Sequence, residues 1–402
     1  MTNLSKRATI IKESPTFKVI GKANKLKKDG NDVVILAAGE PDFNTPKHIA
    51  DAAIEAINLG RTKYTPASGT IELREAIVNK FARENNLNYT TDEVIASNGG
   101  KHSIYNALQA IVNDGDEVII PAPYWVSYPD MVLLSGGKPN IIECNIDVSF
   151  KLTPQVLKKA LNDKTKAIIL NSPSNPTGMI YTSEELCELA NVLRGYPNVF
   201  IISDDLYEHL LFEKQQFKNI ANVAPDLLSR VIVINGVSKA YAMTGWRIGY
   251  AACKDKAIIK AMDNIQSQST SNPCSISQYA ATMALNSGTE CVAPMLKEFI
   301  KRHDYVVERL NKIPGIKCLK AQGAFYAFFD CSQAINMLYN AKKINGITDI
   351  DMADYLLDNF HVAGVPGSAF GLDKFIRISF ATSFEEITKG LDRIEQAMNN
   401  IG

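Results

Sequence analysis

The sequence has no apolar run that approaches the ~20 residues needed by a membrane-spanning helix. Its first residues, Met1 to Arg7, also lack the apolar segment of a secretory signal. Basic and acidic residues are equal in number, 43 of each, so no net charge favours nucleic acid or an anionic membrane as a partner. We therefore expect a globular protein of 402 residues that acts on a small molecule and has room for two domains.

Cysteine and histidine are sparse and scattered. The cysteines are seven, an odd number, and none stands in Cys-x-x-Cys spacing. This pattern favours a reducing cytoplasm, with cysteines as small core residues rather than disulfides. The five histidines are equally dispersed, so a metal site is not expected. Internal repeats and low-complexity segments are absent from the sequence.

The most informative stretch is residues 231–250. Four consecutive β-branched residues, Val231 to Ile234, predict a strand covered on both faces, and Asn235-Gly236 turns the chain out at its carboxyl end. Such ends are where α/β sheets bind ligands. Lys239 follows among apolar residues, where loss of its charge is easier than in water, and this suits it to form a Schiff base with an aldehyde. Alone, it could equally be an ordinary surface cation.

Two further predicted strands end in polar residues. One, near residues 167–170, leads to Asn175, and another, near residues 199–202, leads to Asp204 and Tyr207. Helical segments separate these strands, which is typical of a parallel sheet. We expect Asn175, Asp204 and Lys239 to share one edge of that sheet.

An anion site is predicted at Asn98-Gly99-Gly100, between a strand ending at Ser97 and a helix that begins near Lys101. The free backbone N–H groups and the positive end of the helix dipole would face the ligand. Arg247 would add a planar fork for a phosphate. The spacing is not that of a nucleotide-binding P-loop, because isoleucine and histidine occupy two of its signature positions.

Loops near the same edge carry aromatic residues. Trp125 lies in a loop with prolines and could stack on a ligand ring or fill the core. Tyr64 alone would be a packing residue. Gly39, in a loop with two prolines, either permits close approach to a ligand or simply turns the chain.

We expect three parts: an arm and the first part of a small domain over residues 1–45, a large domain over 46–290 and a C-terminal small α+β domain over 291–402. The basic arm is expected to pack elsewhere in the protein or on a partner. In the last part, Arg377 stands inside an apolar strand, where it requires water or an anionic partner. A structural ion pair and a substrate carboxylate are the two alternatives.

These residues together fit pyridoxal 5′-phosphate (PLP). Asp204 would keep the cofactor's ring nitrogen protonated, which makes the ring an electron sink. Asn175 and Tyr207 could bond the ring oxygen, and Trp125 could stack on the ring. Gly99, Gly100 and Arg247, with Ser97 or Ser238 as further candidates, could hold the phosphate. Lys239 would then carry the proton between the substrate and the cofactor.

The sequence resembles the class I aminotransferases of fold type I, and among them the bacterial aspartate aminotransferases that also act on prephenate. The resemblance covers nearly the whole chain and rests on several motifs in order: Gly39-Glu-Pro-Asp-Phe43, Tyr64-Thr-Pro-x-Ser-Gly69, Pro123-Tyr-Trp-Val-Ser-Tyr128, Asn171-Ser-Pro-Ser-Asn-Pro-Thr-Gly178, Asp204-x-x-Tyr207, Ser238-Lys-Ala-Tyr-Ala-Met-Thr-Gly-Trp-Arg247, Pro366-Gly-Ser-Ala-Phe-Gly371 and Arg377-Ile-Ser-Phe-Ala381.

The resemblance implies an α/β fold with a mostly parallel large-domain sheet flanked by helices. It implies a homodimer in which Tyr64 reaches the neighbouring subunit's phosphate. Arg377 would clamp the substrate α-carboxylate, with Gly39, Trp125 and Asn175 also in contact with substrate. Many relatives carry serine where this chain has Gly236, so the phosphate contacts are expected to differ.

Three functions remain open at this point. The first is amino transfer between aspartate or glutamate and a keto acid, with prephenate as a further substrate and other amino acids, such as alanine or aromatic ones, as the alternative. The second is a PLP-dependent lyase or decarboxylase on the same fold. The third is a ligand-sensing module, disfavoured because the short arm leaves no room for a DNA-binding domain.

Two lysines are candidates for side-chain specificity. Lys101, at a helix N-terminus, could bind the distal carboxylate of a dicarboxylic substrate or only neutralise the phosphate. Lys12 occupies the place where relatives active on prephenate carry a basic residue. We expect it to contact the ring carboxylate of that substrate.

Overall fold

The computed structural model describes residues 4–212 and 217–400. In this part of the chain the strands are β1 (Val34–Ile35), β2 (Val94–Ser97), β3 (Glu117–Ala122), β4 (Lys138–Glu143), β5 (Thr165–Asn171), β6 (Phe200–Asp204), β7 (Val231–Gly236), β8 (Gly249–Ala252), β9 (Lys317–Cys318), β10 (Tyr326–Asp330), β11 (Val362–Ala363), β12 (Val365–Pro366) and β13 (Phe375–Ser379).

The α-helices of the same residues are α1 (Lys6–Ile10), α2 (Pro15–Lys28), α3 (Lys47–Asn58), α4 (Ile71–Asn85), α5 (Gly100–Ile111), α6 (Tyr128–Leu134), α7 (Pro154–Ala160), α8 (Ser183–Arg194), α9 (Ile220–Val223), α10 (Lys256–Ser269), α11 (Ser275–Asn286), α12 (Ala293–Leu310), α13 (Ser332–Asn340), α14 (Asp349–Phe360) and α15 (Phe384–Asn399). Short 3₁₀ segments, among them Thr244–Trp246 and Gly367–Phe370, connect some of them.

The central sheet has the strand order β2-β8-β7-β6-β5-β3-β4. Neighbours from β7 to β4 are parallel, and β8 is antiparallel to both β2 and β7. Because β8 is reversed between them, β2 points the same way as β7. The carboxyl ends of β2, β5, β6 and β7 therefore lie at one edge, as the sequence predicts.

Strand β7 lies inside this sheet, between β8 and β6, and all of its residues are buried. Val231 and Val233 pack into the core on one face, while Ile232 and Ile234 pack into a second core on the other. Helices cover both faces, so its first four residues are all apolar, not only every second one. The prediction of a strand covered on both faces is confirmed.

The register of the parallel strands sets the positions of the polar residues. Asn171 of β5 pairs with Asp204 of β6, and Asp204 pairs with Ile234 of β7. The side chains that follow these strands consequently meet at one level of the sheet edge.

A smaller antiparallel sheet has the order β12-β13-β10-β9. Strand β1, near the start of the chain, pairs with β11, near its end. This pairing agrees with the assignment of the first residues to the small domain, although the boundaries at 45 and 290 stay predictions. Arg377 lies in β13, opposite Phe328 of β10.

Two Thr-x-x-Glu patterns in the sequence predict capping boxes at helix starts, one at Thr182 and Glu185 and one at Thr382 and Glu385. The first is confirmed, since both of its hydrogen bonds form. The second is wrong by one residue, because Ser383 is the N-cap and its hydroxyl accepts from the Glu386 N–H.

Within the described residues, no helix combines the length and apolar character that crossing a membrane requires.

Candidate active site

A cleft of about 340 Å³ opens at the carboxyl edge of the central sheet. Lys239, which follows β7, projects into it, and its Nζ donates to the carbonyl oxygen of Gly39 at 2.5 Å. Burial lowers the pKa of Lys239 to about 8, and the nearby Glu40 carboxylate partly opposes this shift. Roughly a tenth of this amine is thus uncharged at pH 7, against less than about a thousandth for a lysine of ordinary pKa. The uncharged form is the one that attacks.

Asp204, the last residue of β6, faces the same cleft and is only 5% exposed. One carboxylate oxygen accepts from the Tyr128 hydroxyl at 2.5 Å, and the other accepts from the Leu206 N–H at 3.3 Å. Burial raises the pKa of Asp204 to about 6, although the Tyr128 bond acts in the opposite direction. A cationic ligand group beside this carboxyl would stabilise its ionised form.

Tyr207 lies three residues after Asp204, in the turn that follows β6. Its hydroxyl forms a hydrogen bond of 2.9 Å with the hydroxyl of Tyr326 on β10, so the two sheets meet at the cleft. The Lys239 ammonium nitrogen lies 5.9 Å from the centre of the Tyr207 ring. Burial raises the pKa of Tyr207 well above its ordinary value, so its hydroxyl stays protonated at neutral pH.

Arg377 is a buried cation on the opposite side of the cleft. Its guanidinium donates to the Asn175 side-chain oxygen at 3.0 Å and to the Ala37 carbonyl at 2.8 Å. It lies between the rings of Tyr326 and Phe370, at 4.5 and 4.8 Å from their centres. No ion pair joins it to a carboxylate among residues 4–212 and 217–400. The structural ion pair considered from sequence is therefore not found there.

The start of α5 has the geometry of an anion site. In its first turn, the N–H groups of His102 and Ser103 donate to the Gly99 carbonyl at 3.0 and 3.2 Å. This leaves the N–H groups of Gly100 and Lys101, which line the cleft, for a ligand. Gly99 has a φ of +90°, and a Cβ there would lie 2.1 Å from Nη2 of Arg247. Arg247 is fixed by a 2.8 Å bond to the Thr244 carbonyl. Glycine thus lets the guanidinium approach the helix start.

Four more predicted residues, Lys101, Trp125, Ser238 and Ser97, lie in or next to this part of the cleft. The Lys101 ammonium lies 5.1 Å from the centre of the Trp125 ring, and Trp125 contacts Tyr128 edge to face. Burial, and then the charge of Arg247, lower the pKa of Lys101. Ser238 also lines the cleft. Ser97 is buried, and its hydroxyl has no hydrogen-bond partner among the described residues.

Two predicted site residues lie elsewhere in the single chain. Tyr64 is 92% exposed and lines a separate cavity of about 460 Å³. Lys12 lines a third cavity of about 690 Å³, next to Asp130. Their roles in the site stay predictions.

Sequence reasoning assigned no role to Tyr128, Tyr326 or Phe370, which hold Asp204, Tyr207 and Arg377 in place. Tyr128 and Tyr326 stand among other aromatic residues, and Phe370 stands in the Pro366–Gly371 motif, so nothing in the sequence marks these rings as part of the site. The only signal in the sequence was the alternation of β10, which puts Tyr326 and Phe328 on the same face.

Gly236 is closely packed. A Cβ would lie 3.0 Å from both the Gly249 Cα and the Ile248 carbonyl oxygen. Any larger residue would displace its neighbours by a few tenths of an ångström, so this chain holds its glycine for space.

Comparison with known proteins agrees with this geometry. The family model described as aminotransferase class I and II matches residues 31–394. An aspartate/prephenate aminotransferase of Nitrosomonas europaea is 51% identical over 98% of this chain and 100% of the relative. The solved aspartate aminotransferase of Rhizobium meliloti superposes with a TM-score of 0.94 at 44% identity over 99% of both chains.

Another solved structure, an aspartate aminotransferase from Thermus thermophilus with maleate, has a TM-score of 0.91 at 40% identity and covers 99% of this chain and 100% of its own. The predicted fold type I is confirmed by these likenesses. Since the match extends over nearly the whole chain and includes both sheets that form the cleft, the chain belongs to the aminotransferase class I and II family.

Proposed function

We propose that the protein uses PLP, bound through Lys239, to move the amino group of aspartate or glutamate to oxaloacetate or 2-oxoglutarate. The observation that carries the proposal is one cleft with three features: a buried amine of lowered pKa, a buried carboxylate and a buried guanidinium without a carboxylate partner among the described residues. Relatives named for aspartate, and one crystallised with maleate, support a dicarboxylic substrate.

The residues present fit PLP. The Gly99 backbone, the first turn of α5 and Arg247 form a site with room and donors for a phosphate. The Ser97 hydroxyl, unpaired within the described residues, lies at the end of the adjoining strand. Trp125 offers a flat face, and Asp204 would hold the ring nitrogen protonated. When bound, PLP supplies an aldehyde for the amine and a conjugated ring that takes up the electrons released at the substrate α-carbon.

The chain's own groups then position and move protons. The Lys239 amine, with its pKa of about 8, is suited to take and return a proton near neutral pH. Tyr207, held by Tyr326, and Asn175, held by Arg377, would present polar groups to the ring oxygen of a bound cofactor. Asp204 stays ionised most easily when a cation faces it.

Arg377 supports recognition of the substrate α-carboxylate. Its Nε has no partner among the described residues, and two aromatic rings keep the guanidinium plane in one orientation. A bidentate carboxylate fits such a fork. Lys101 lines the same cleft and is our candidate for the distal carboxylate. Prephenate, which forms part of the name of the Nitrosomonas relative, is proposed as a further amino acceptor, with Lys12 contacting its ring carboxylate.

The direct experiment is a screen of amino donors and keto-acid acceptors with purified protein, following the visible absorbance of the bound cofactor. We expect aspartate and glutamate to change that absorbance and 2-oxoglutarate to restore it. Lys239→Ala should lose covalent attachment of the cofactor, measured by mass spectrometry after borohydride reduction, and at least about 100-fold in turnover. Normal turnover by Lys239→Ala would exclude the assignment.

We further propose a homodimer in the cytoplasm, without nucleic acid or membrane as a partner. The free state of all seven cysteines supports a reducing compartment. The exposure of Tyr64 and the cavity beside it support a neighbouring subunit at that face.

A further inference from the structure

Directly behind the active-site cleft lies a fully enclosed group of charged and amide side chains. Glu208, one residue after Tyr207, is 5% exposed, and its carboxylate contacts the ammonium of Lys80, which is completely buried on α4. Burial alone would raise the pKa of Glu208, but the charges of Lys80 and His209 outweigh it and lower that pKa. The carboxylate is therefore ionised within the protein.

Two amides donate to this carboxylate at equal distance from different sides. Asn85, at the end of α4, donates to one oxygen at 2.7 Å, and Asn235, near the end of β7, donates to the other at 2.7 Å. The side-chain oxygen of Asn235 also accepts from the Gly236 N–H at 2.7 Å. Asn235 thus connects Glu208 with the turn that leads to Lys239.

Glu208 belongs to the loop that carries the other reacting groups. Asp204 and Tyr207 stand just before it, and the Glu208 N–H donates to the Asp205 carbonyl at 3.0 Å. The Asp205 N–H in turn donates to the Ile234 carbonyl of β7 at 2.9 Å. One carboxylate therefore joins the loop of Asp204 and Tyr207 with the turn of Lys239, and Lys80 fixes it to α4.

We propose that Glu208 is a positioning residue which, through Asn235, sets the placement of the Lys239 amine relative to Asp204 and Tyr207. This inference rests on the proposed function. A buried ion pair is weak evidence for stability, because apolar side chains of similar size often replace one without loss. Its geometry supports a role in position, because Glu208 belongs to the loop of Asp204 and Tyr207 and accepts from Asn235, just before the turn that leads to Lys239. An error of about 1 Å in such placement costs roughly 100-fold in rate.

Glu84 and His209 lie beside this group, and the ligand atoms of Glu84, Glu208 and His209 are within 4.8 Å of one another. The sequence spacing did not predict this cluster. Since Lys80 already neutralises Glu208, we assign the carboxylate to the ammonium and propose no metal there.

The test compares Asn235→Ala and Glu208→Gln with the matched control Asn85→Ala. Asn85 and Asn235 donate to the same carboxylate at the same distance. Only Asn235 also bonds to Gly236, in the turn that leads to Lys239. Three quantities are measured on the full chain: kcat and KM with the cofactor bound, the pH at which the bound cofactor's absorbance titrates, and, in cofactor-free protein, the pH dependence of Lys239 acetylation by acetic anhydride.

For Asn235→Ala and Glu208→Gln, we expect kcat to fall roughly 10- to 100-fold with little change in KM. Both titrations should move by about half a pH unit or more. Asn85→Ala should lower the unfolding temperature without moving either titration. Glu208→Gln, which keeps the size of the side chain, carries the test by itself if Asn235→Ala does not fold.

The inference is overturned if both variants only lower the unfolding temperature, as Asn85→Ala does, with unchanged kcat and titrations. A change confined to Asn235→Ala would equally exclude the carboxylate as the positioning group. Failure of the proposed function looks different, because the wild-type protein itself would then show no cofactor absorbance and no amino transfer.

Discussion

At the scale of single residues, the cleft concentrates groups whose protonation the protein alters. Asp204 is the clearest case, because burial raises its pKa from 3.8 to about 6. A carboxyl whose pKa is raised on folding adds stability below its unfolded pKa, and this contribution is lost as the pH rises through about 6. Above that pH the cofactor-free protein holds a buried charge at a cost.

Asp204→Asn should remove this cost. In cofactor-free protein we expect it to increase the free energy of unfolding by up to roughly 3 kcal/mol at pH 8 and to change it little near pH 4. Urea unfolding at both pH values measures the difference. Asp226→Asn, at an exposed carboxylate paired with Arg194, is the control and should show no such gain at pH 8. An equal effect of Asp204→Asn at both pH values would contradict the explanation.

The same substitution should have the opposite effect on catalysis. With PLP bound, an amide cannot hold the ring nitrogen protonated as a carboxylate does, so proton abstraction should slow. The gain in stability and the loss of activity have one cause, since the charge that is costly in the empty cleft is the one that serves the proposed reaction.

At the scale of elements, the junction of β2 with α5 depends on a glycine. Gly99→Ala would place a Cβ 2.1 Å from the Arg247 guanidinium, at a φ of +90° that alanine avoids. We expect weaker binding of PLP and of inorganic phosphate, by about tenfold or more, because Arg247 must move away from the helix start.

Phosphate binding to cofactor-free protein, by calorimetry, measures this loss. Gly245→Ala is the matched control, because it lies in the 3₁₀ segment just before Arg247 and a Cβ there meets nothing within 4 Å. Equal phosphate affinity of the wild-type and Gly99→Ala proteins would mean that Arg247 does not contribute to the anion site.

The elements also show which parts of the fold could be predicted from the sequence. Strand β7 was predictable because both of its faces are buried, which leaves a continuous β-branched run. Strand β8, by contrast, is Gly-Tyr-Ala-Ala, with neither alternation nor β-branched residues, and only its pairing with β2 and β7 makes it a strand.

Prediction of the site residues from the sequence has the same limit. Asp204 and Lys239 follow strands and could be found from their position in the chain. The Tyr207–Tyr326 bond joins residues 119 positions apart, and the Asn235–Glu208 bond joins residues 27 positions apart. Such contacts depend on tertiary packing, which local patterns do not encode.

At the scale of the whole molecule, large apolar side chains remain exposed on adjoining helices. Ile54 and Ile57 of α3, with Met283 of α11, are 57%, 54% and 39% exposed, and α3 packs against α11. Tyr64 lies near them in sequence and is almost fully exposed. A second subunit that covers this face would bury the apolar surface.

Sedimentation at working concentration should therefore show two chains. Ile57→Glu should weaken the pairing and lower activity together, because Tyr64 is proposed to serve the neighbouring site. Ile347→Glu, at a residue of similar exposure in the C-terminal part, is the control and should leave the dimer intact. A fully active monomer would refute the shared site.

The N-terminal arm links the two parts of the molecule. Lys22 of α2 pairs with Asp354 and Asp358 of α14 at 2.8 and 2.9 Å, and these exposed pairs contribute little to stability. Lys12 lies just before the start of α2, in the cavity that also contains Asp130. Burial raises the pKa of Asp130, and the charge of Lys12 opposes that shift. Lys12 therefore faces an acidic partner in this structure.

This arrangement separates the expected roles of two lysines. Lys101 lies in the cleft with Arg377, so Lys101→Ala should raise the KM for both aspartate and glutamate by about tenfold or more. Lys12 lies outside that cleft, and Lys12→Ala should impair prephenate while largely sparing aspartate. Lys18→Ala, in the same cavity as Lys12, is the control. Steady-state kinetics on the three variants measure these effects. Equal losses on all substrates from Lys12→Ala would mean that the arm only stabilises the closed enzyme.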